Sequence, residues 1–71
     1  MKPTHDSTPD PQHHVKNIKR MLTEIIDHAR EDVLKVNEPK AQALFETTAE
    51  VLIGLRTAYE HYESNIEPGM D

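Results

Sequence analysis

The segment Asn37-Glu38-Pro39 divides the chain into two stretches that each repeat apolar side chains every three or four residues. Asn37 tolerates the left-handed conformation that often ends a helix, and Pro39 cannot continue a helix but fits the first turn of a new one. Helices joined by so short a connection fold back on each other. The sequence therefore predicts an all-α fold, an antiparallel two-helix hairpin with helix 1 over about residues 11–36 and helix 2 over about residues 39–66.

The first stretch places its apolar residues on one arc of a helix that turns about 100° per residue. Asp10 and Pro11 stand before it as an N-cap carboxylate and a proline suited to the first helical position. The pattern repeats after eleven residues, which is typical of nearly straight helices. The residues expected to be buried in helix 1 are Val15, Ile18, Leu22, Ile25, Ile26, Ala29, Val33 and Val36.

The second stretch has a similar arc and is ended by Pro68-Gly69. Its expected buried residues are Ala41, Leu44, Phe45, Thr48, Val51, Leu52, Leu55, Tyr59, Tyr62 and Ile66. Residues 1–10 are rich in Pro, Thr, Ser, His and Asp, so we expect a disordered tail there. Residues 67–71 are expected to form a C-terminal tail.

A single hairpin in a chain of 71 residues has little core of its own. Cysteine is absent, which excludes disulfides and thiolate zinc sites as a source of stability. Oligomerisation is the remaining common solution. We therefore expect two hairpins to pack face to face as a homodimeric four-helix bundle, with a higher oligomer and a monomeric hairpin as alternatives.

Small side chains follow one flank of helix 2, at Ala43, Thr47, Gly54 and Ala58. A glycine inside a helix costs about 1 kcal/mol relative to alanine, and close approach of another backbone would explain it. The hypothesis is that this stripe forms a helix–helix contact across the dimer, and an exposed neutral glycine is the alternative. Leu34 and Ile53 lie near the opposite flank, where they either widen the buried face or mark a second interaction surface.

Charge and composition exclude several function classes. The formal net charge of -5 disfavours nucleic acid and an anionic membrane surface as partners. No apolar run is long enough for a signal peptide or a bilayer span, so a soluble cytoplasmic protein is expected. Thr47, Thr48 and Ser64 have no paired base, and two glycines do not make a phosphate-binding loop. We expect neither enzymatic activity nor a cofactor.

One set of residues in helix 1 has the spacing of metal ligands. Glu24, His28 and Asp32 recur every four residues, and Glu50 of helix 2 is expected on the same flank. Carboxylates with an imidazole suit a hard divalent or ferrous ion. The alternative is a pair of ordinary surface contacts, His28 with Asp32 and Glu24 with Arg20. Glu24, His28 and Glu50 thus form a candidate metal site at a dimer interface.

The start of helix 1 is basic, with His13, His14, Lys16, Lys19 and Arg20 close together. A cluster of this kind suits a contact with an anion or a phosphoprotein. The alternative is pairing within the hairpin, because the fold brings Glu60, Glu63 and Glu67 to the same end. We favour pairing within the hairpin.

Several segments carry a resemblance to known proteins: residues 43–52 (ALFETTAEVL), Gly54-Leu55 and residues 58–63 (AYEHYE), with Arg30-Glu31-Asp32 and Val36 upstream. Over about residues 15–64 the chain resembles a group of short bacterial two-helix proteins that have no assigned function. The resemblance implies a bacterial, cytoplasmic, all-helical protein and supplies no functional residues. A looser similarity to half-bundle ferritin-like proteins implies dimerisation around iron, although their Glu-x-x-His motif is absent here.

The function expected from the sequence is a non-enzymatic helical module that binds itself and, in one variant of this interpretation, another protein. The metal-binding half-bundle is the alternative.

Overall fold

The computed structural model describes residues 7–65, which form two α-helices joined by a short turn. Helix α1 spans Pro11–Val33 and helix α2 spans Pro39–Asn65. The two helices pack against each other, and no strand occurs between residues 7 and 65. The predicted all-α fold of two packed helices is confirmed.

The start of α1 is fixed by local hydrogen bonds. Asp10 is extended, and its Oδ1 accepts a 3.0 Å hydrogen bond from the backbone N–H of Gln12, with Pro11 in the first turn. The Oγ1 of Thr8 accepts from the backbone N–H of Asp10 at 3.2 Å. The predicted N-cap is therefore confirmed, because Asp10 satisfies one of the unpaired donors of the first turn.

The expected tails lie mainly outside the described residues. Of the tail predicted for residues 1–10, only residues 7–10 are described, and they have no regular secondary structure. The C-terminal tail of residues 67–71 and the predicted core residue Ile66 are also outside the described range.

Helix α1 ends at Val33, three residues before the expected position. The backbone N–H of Leu34 donates to the carbonyl of Glu31 at 3.1 Å, and that of Lys35 donates to the carbonyl of Asp32 at 3.0 Å. These bonds span three residues rather than four, so the last turn tightens and the helix stops. The Nε2 of Gln42 then donates to the carbonyl of Val36 at 2.9 Å and ties the turn to α2.

The core of the hairpin is a single narrow seam between the helices. The residues buried within the described range are Leu22, Ile26, Ala29 and Ala49. Phe45, Leu52 and Ile53 pack against the cluster of Ile26, Ala29 and Ala49. Alanines at the centre, Ala29 on α1 and Ala49 on α2, favour a close approach of the two helix axes.

The burial predicted for helix 2 is partly wrong. Four residues expected in its core are between 40% and 62% exposed: Leu44, Val51, Leu55 and Tyr62. Ala49, which was not predicted, is 1% exposed. Helix α2 contacts its one neighbour through the side that carries Ala49, and a single neighbouring helix covers only one seam. In α1 the predicted core residue Ile25 is also exposed, together with Met21.

Candidate functional site

The hairpin leaves a continuous set of large apolar side chains on one side. We name this set the apolar face; its exposed members are Met21, Ile25, Leu44, Val51, Leu55 and Tyr62. They lie about a quarter of a turn from the buried seam on α1 and about a third of a turn from it on α2, in the same rotational sense. Because the helices are antiparallel, the same sense on both places them on the same side of the hairpin.

The apolar face follows the spacing of a helix-packing seam. In α2, residues 44, 48, 51, 55, 58 and 62 alternate steps of four and three, and none of them is charged. The same steps of four and three occur in α1, at residues 14, 18, 21, 25, 28 and 32. Ile18, Met21 and Ile25 form the apolar middle part of this set. Alternating steps of four and three are the pattern by which one helix packs along another. Each helix therefore has two seams, one used within the hairpin and one exposed.

A shallow apolar groove lies at the open end of the hairpin. Val15, Ala58, Tyr59 and Tyr62 line it. The groove continues the apolar face from α2 toward α1, so the exposed surface is continuous across the two helices at this end.

The opposite side of the hairpin is held by polar contacts. The Nζ of Lys19 lies 2.8 Å from the Oε1 of Glu63, and the guanidinium of Arg56 donates to the Oγ1 of Thr23 at 3.0 Å. The interpretation that the basic start of helix 1 pairs within the hairpin is confirmed for Lys19. Glu67 lies outside the described residues.

The candidate metal ligands are not brought together within one chain. The carboxylate of Glu24 accepts from Arg20 at 3.1 Å, and the Nε2 of His28 lies 3.1 Å from the Oδ2 of Asp32. Glu50 instead lines a different groove, beside Arg30. Residues 7–65 contain no group of three His, Asp or Glu side chains placed to hold a metal ion. Within one chain Glu50 lies away from His28, because it follows the buried Ala49 by one residue, which turns it toward the polar side.

The remaining candidate interface residues fall into three environments. Ile53 packs against the core, so it widens the buried seam. Leu34 is 86% exposed at the end of α1 and lines the groove that contains Arg30 and Glu50. The four residues of the small-residue stripe, Ala43, Thr47, Gly54 and Ala58, are all exposed. A Cβ added at Gly54 would meet no atom of residues 7–65 within 4 Å, so no contact in this part of the chain requires glycine there.

Sequence reasoning missed the separation of the two seams in α2. It merged Phe45 and Leu52 of the buried seam with the apolar face into one wide arc and left out Ala49, the buried residue of α2. The signal was present in the sequence, because Leu44, Val51 and Leu55 follow the heptad spacing on their own.

A scan of family models, a search of curated proteins and a search of solved structures each find no match to the chain. Neither α1 nor α2, as far as the described residues extend, combines the length and apolarity needed to cross a membrane.

Proposed function

We propose that this protein is a non-enzymatic, self-associating helical module whose working form is a homodimeric four-helix bundle. The observation that carries the proposal is the apolar face. The described part of the chain buries four side chains and exposes six large apolar side chains next to one another. Exposed apolar groups that are contiguous, rather than scattered, mark an interaction surface.

The angle between the two seams supports a bundle of four helices. In such a bundle each helix contacts two neighbours that lie about a quarter turn apart around its axis. In α1, Ile26 lies on the buried seam and Ile25, about 100° away, lies on the apolar face. In α2, Leu52 packs on the buried seam and Val51, also about 100° away, lies on the apolar face. A second hairpin laid on the apolar face completes both sets of contacts at once.

The free energy available from the apolar face is of the size that dimerisation requires. Its six side chains are about half exposed, and burying the rest of each contributes about 1 kcal/mol. Over two copies the gain is about 12 kcal/mol, while association costs about 4–15 kcal/mol in lost translational and rotational freedom. Because the two quantities are similar, we expect a reversible dimer whose population depends on concentration.

A single partner copy suffices to cover the face. The apolar face lies on one side of the hairpin, and the other side carries the Lys19–Glu63 ion pair and the Arg56–Thr23 hydrogen bond. A higher oligomer would need a second apolar face of comparable size. The metal-binding alternative has no comparable support, because Glu24, His28 and Glu50 do not converge in one chain.

The test is a pair of charged substitutions at exposed apolar residues. Val51→Glu places a charge in the middle of the apolar face. Because the side chain of Val51 is exposed in the single hairpin, we expect the hairpin itself to tolerate the charge. Leu34→Glu is the matched control, because Leu34 is also an exposed apolar residue but lies off this face. Light scattering after gel filtration measures the mass, and circular dichroism measures the helix content.

We expect the unchanged protein and Leu34→Glu to have twice the chain mass of 8.2 kDa and Val51→Glu to have the single-chain mass with its helices retained. A Val51→Glu protein that remains dimeric at the same concentration contradicts the proposal.

A further inference from the structure

We infer that the second copy packs with its turn at the same end of the bundle, so that α1 of each chain lies against α2 of the other. The inference rests on the proposed dimer and specifies how the partner copy docks. Face-to-face copies related by a twofold axis have two arrangements. If the axis runs along the helices, the turns lie at the same end and α1 faces the partner's α2. If the axis runs across the helices, the turns lie at opposite ends and each helix faces its own copy.

The contacts within the hairpin show which residues stand at the same height. The numbers of facing residues add up to 82 for Lys19 and Glu63, and to 79 for Thr23 and Arg56. For the turn contact between Val36 and Gln42 they add up to 78. A residue of α1 is therefore level with the residue of α2 whose number brings the sum to about 80.

In the same-end arrangement, these levels also hold between α1 and the partner's α2. Ile25 then stands opposite the partner's Leu55, and Ile18 stands opposite the partner's Tyr62. Met21 faces the partner's Ala58 and Tyr59. The apolar middle of the α1 seam thus meets apolar residues of the α2 seam at every level.

Nearer the turn, the same-end arrangement places His28 level with the partner's Val51 and Asp32 level with the partner's Thr48. Thr48 is uncharged, and the carboxylate of Asp32 already has the imidazole of His28 and the ammonium of Lys35 beside it at 3.1 and 3.7 Å. Leu44 stands level with the partner's turn, near Val36. No apolar residue of the face is left opposite an unpaired charge.

The opposite-end arrangement does not cover the apolar face. The midpoint of the α2 seam, between Leu44 and Tyr62, is residue 53, which is level with about residue 27 of α1. An axis at that height puts Met21 near the partner's Asp32 and Ile25 near the partner's His28. If the twofold axis lies nearer Met21 instead, the apolar parts of the two α1 helices face each other. Leu44 then lies beyond the end of the partner's α2.

Distances between spin labels distinguish the two arrangements. The chain has no cysteine, so Asn37→Cys provides a single labelling site in the turn. In the same-end arrangement the two labels are separated by the width of a four-helix bundle, about 15–25 Å including the label arms. At opposite ends they are separated by at least the length of α1, 23 residues or about 35 Å.

A mixed sample is the matched control. When chains labelled at Asn37→Cys are mixed with chains labelled at Gln12→Cys, the mixed dimer adds a new distance to those of the two homodimers: a long one for the same-end arrangement and a short one for the opposite-end arrangement. A long distance in the Asn37→Cys dimer, with a short distance in the mixed dimer, overturns the inference but leaves the proposed dimer intact. Absence of any intermolecular dipolar coupling, together with a single-chain mass, overturns the proposed function itself.

Cysteine cross-linking gives an independent readout. A disulfide requires Cα atoms within about 7 Å of each other. The same-end arrangement predicts that Ile25→Cys and Leu55→Cys chains, mixed and oxidised, form a cross-linked heterodimer, and that Ile25→Cys alone cross-links poorly because the two copies lie diagonally across the bundle. Efficient cross-linking of Ile25→Cys alone, without the heterodimer, contradicts the inference.

Discussion

The Nζ of Lys19 and the Oε1 of Glu63 lie 2.8 Å apart and join the first half of α1 to the end of α2. Both side chains are about one quarter exposed, at 27% and 24%, so water screens this ion pair less than a fully exposed one. The pair lies on the polar side of the hairpin, away from the apolar face. It fixes the relative height of the two helices about one turn beyond Leu22, toward the open end of the hairpin.

Loss of this pair should weaken the hairpin without affecting association through the apolar face. We expect Glu63→Gln to lower the free energy of unfolding by about 0.5–1 kcal/mol, measured by urea denaturation at fixed protein concentration. Glu24→Gln is the control, because its pair with Arg20 is exposed and lies within one helix, where such pairs contribute about 0.3–0.5 kcal/mol. An equal loss of unfolding free energy in the two variants would show that the Lys19–Glu63 pair contributes no more stability than the exposed Arg20–Glu24 pair.

Ala49 should tolerate enlargement poorly. It is 1% exposed and packs against Ile26 and Ala29, where the two helices approach. Ala49→Leu adds volume to this contact, and overpacking of this kind costs about 1–3 kcal/mol. Ala43→Leu introduces the same side chain at an exposed position of the same helix, so we expect little change from it. Thermal unfolding of both variants measures the difference, and equal melting temperatures would place Ala49 outside the packed seam.

Gly54 is expected to accept a larger side chain. A Cβ at this position meets no atom of the described residues within 4 Å, and in the proposed bundle the position faces solvent, beyond the edge of the apolar face. Gly54→Ala should therefore raise the free energy of unfolding by about 1 kcal/mol and leave the mass unchanged. Gly54→Leu should likewise remain a dimer. If Gly54→Leu dissociates the dimer instead, the small-residue stripe of Ala43, Thr47, Gly54 and Ala58 is the contact between copies.

Local signals in the sequence predicted most of the fold. The Asp10-Pro11 start, the break before Pro39 and the three-to-four-residue apolar spacing each act over one or two helical turns, and the structure retains each of them. The early end of α1 at Val33 was not predictable from these signals, because it comes from backbone hydrogen bonds of Leu34 and Lys35 that span three residues, and apolar spacing does not encode these bonds.

Which side of α2 faces α1 could not be predicted with the same ease. Apolar residues cover more than one seam of this helix, so an arc centred on the largest of them included Leu44, Val51 and Leu55. The seam that packs is marked instead by a small residue, Ala49, which hydrophobicity alone does not single out. The same error of rotation placed Glu50 on the flank of His28, whereas Glu50 lines a groove that Arg30 also lines.

Sedimentation equilibrium of the unchanged protein over a range of concentrations tests the central claim, that the apolar face is completed by a second copy, most directly. The dimer predicts a mass of twice 8.2 kDa at tens of micromolar and a reversible fall toward the single-chain mass on dilution. A fully helical protein that keeps the mass of one chain throughout this range would contradict it.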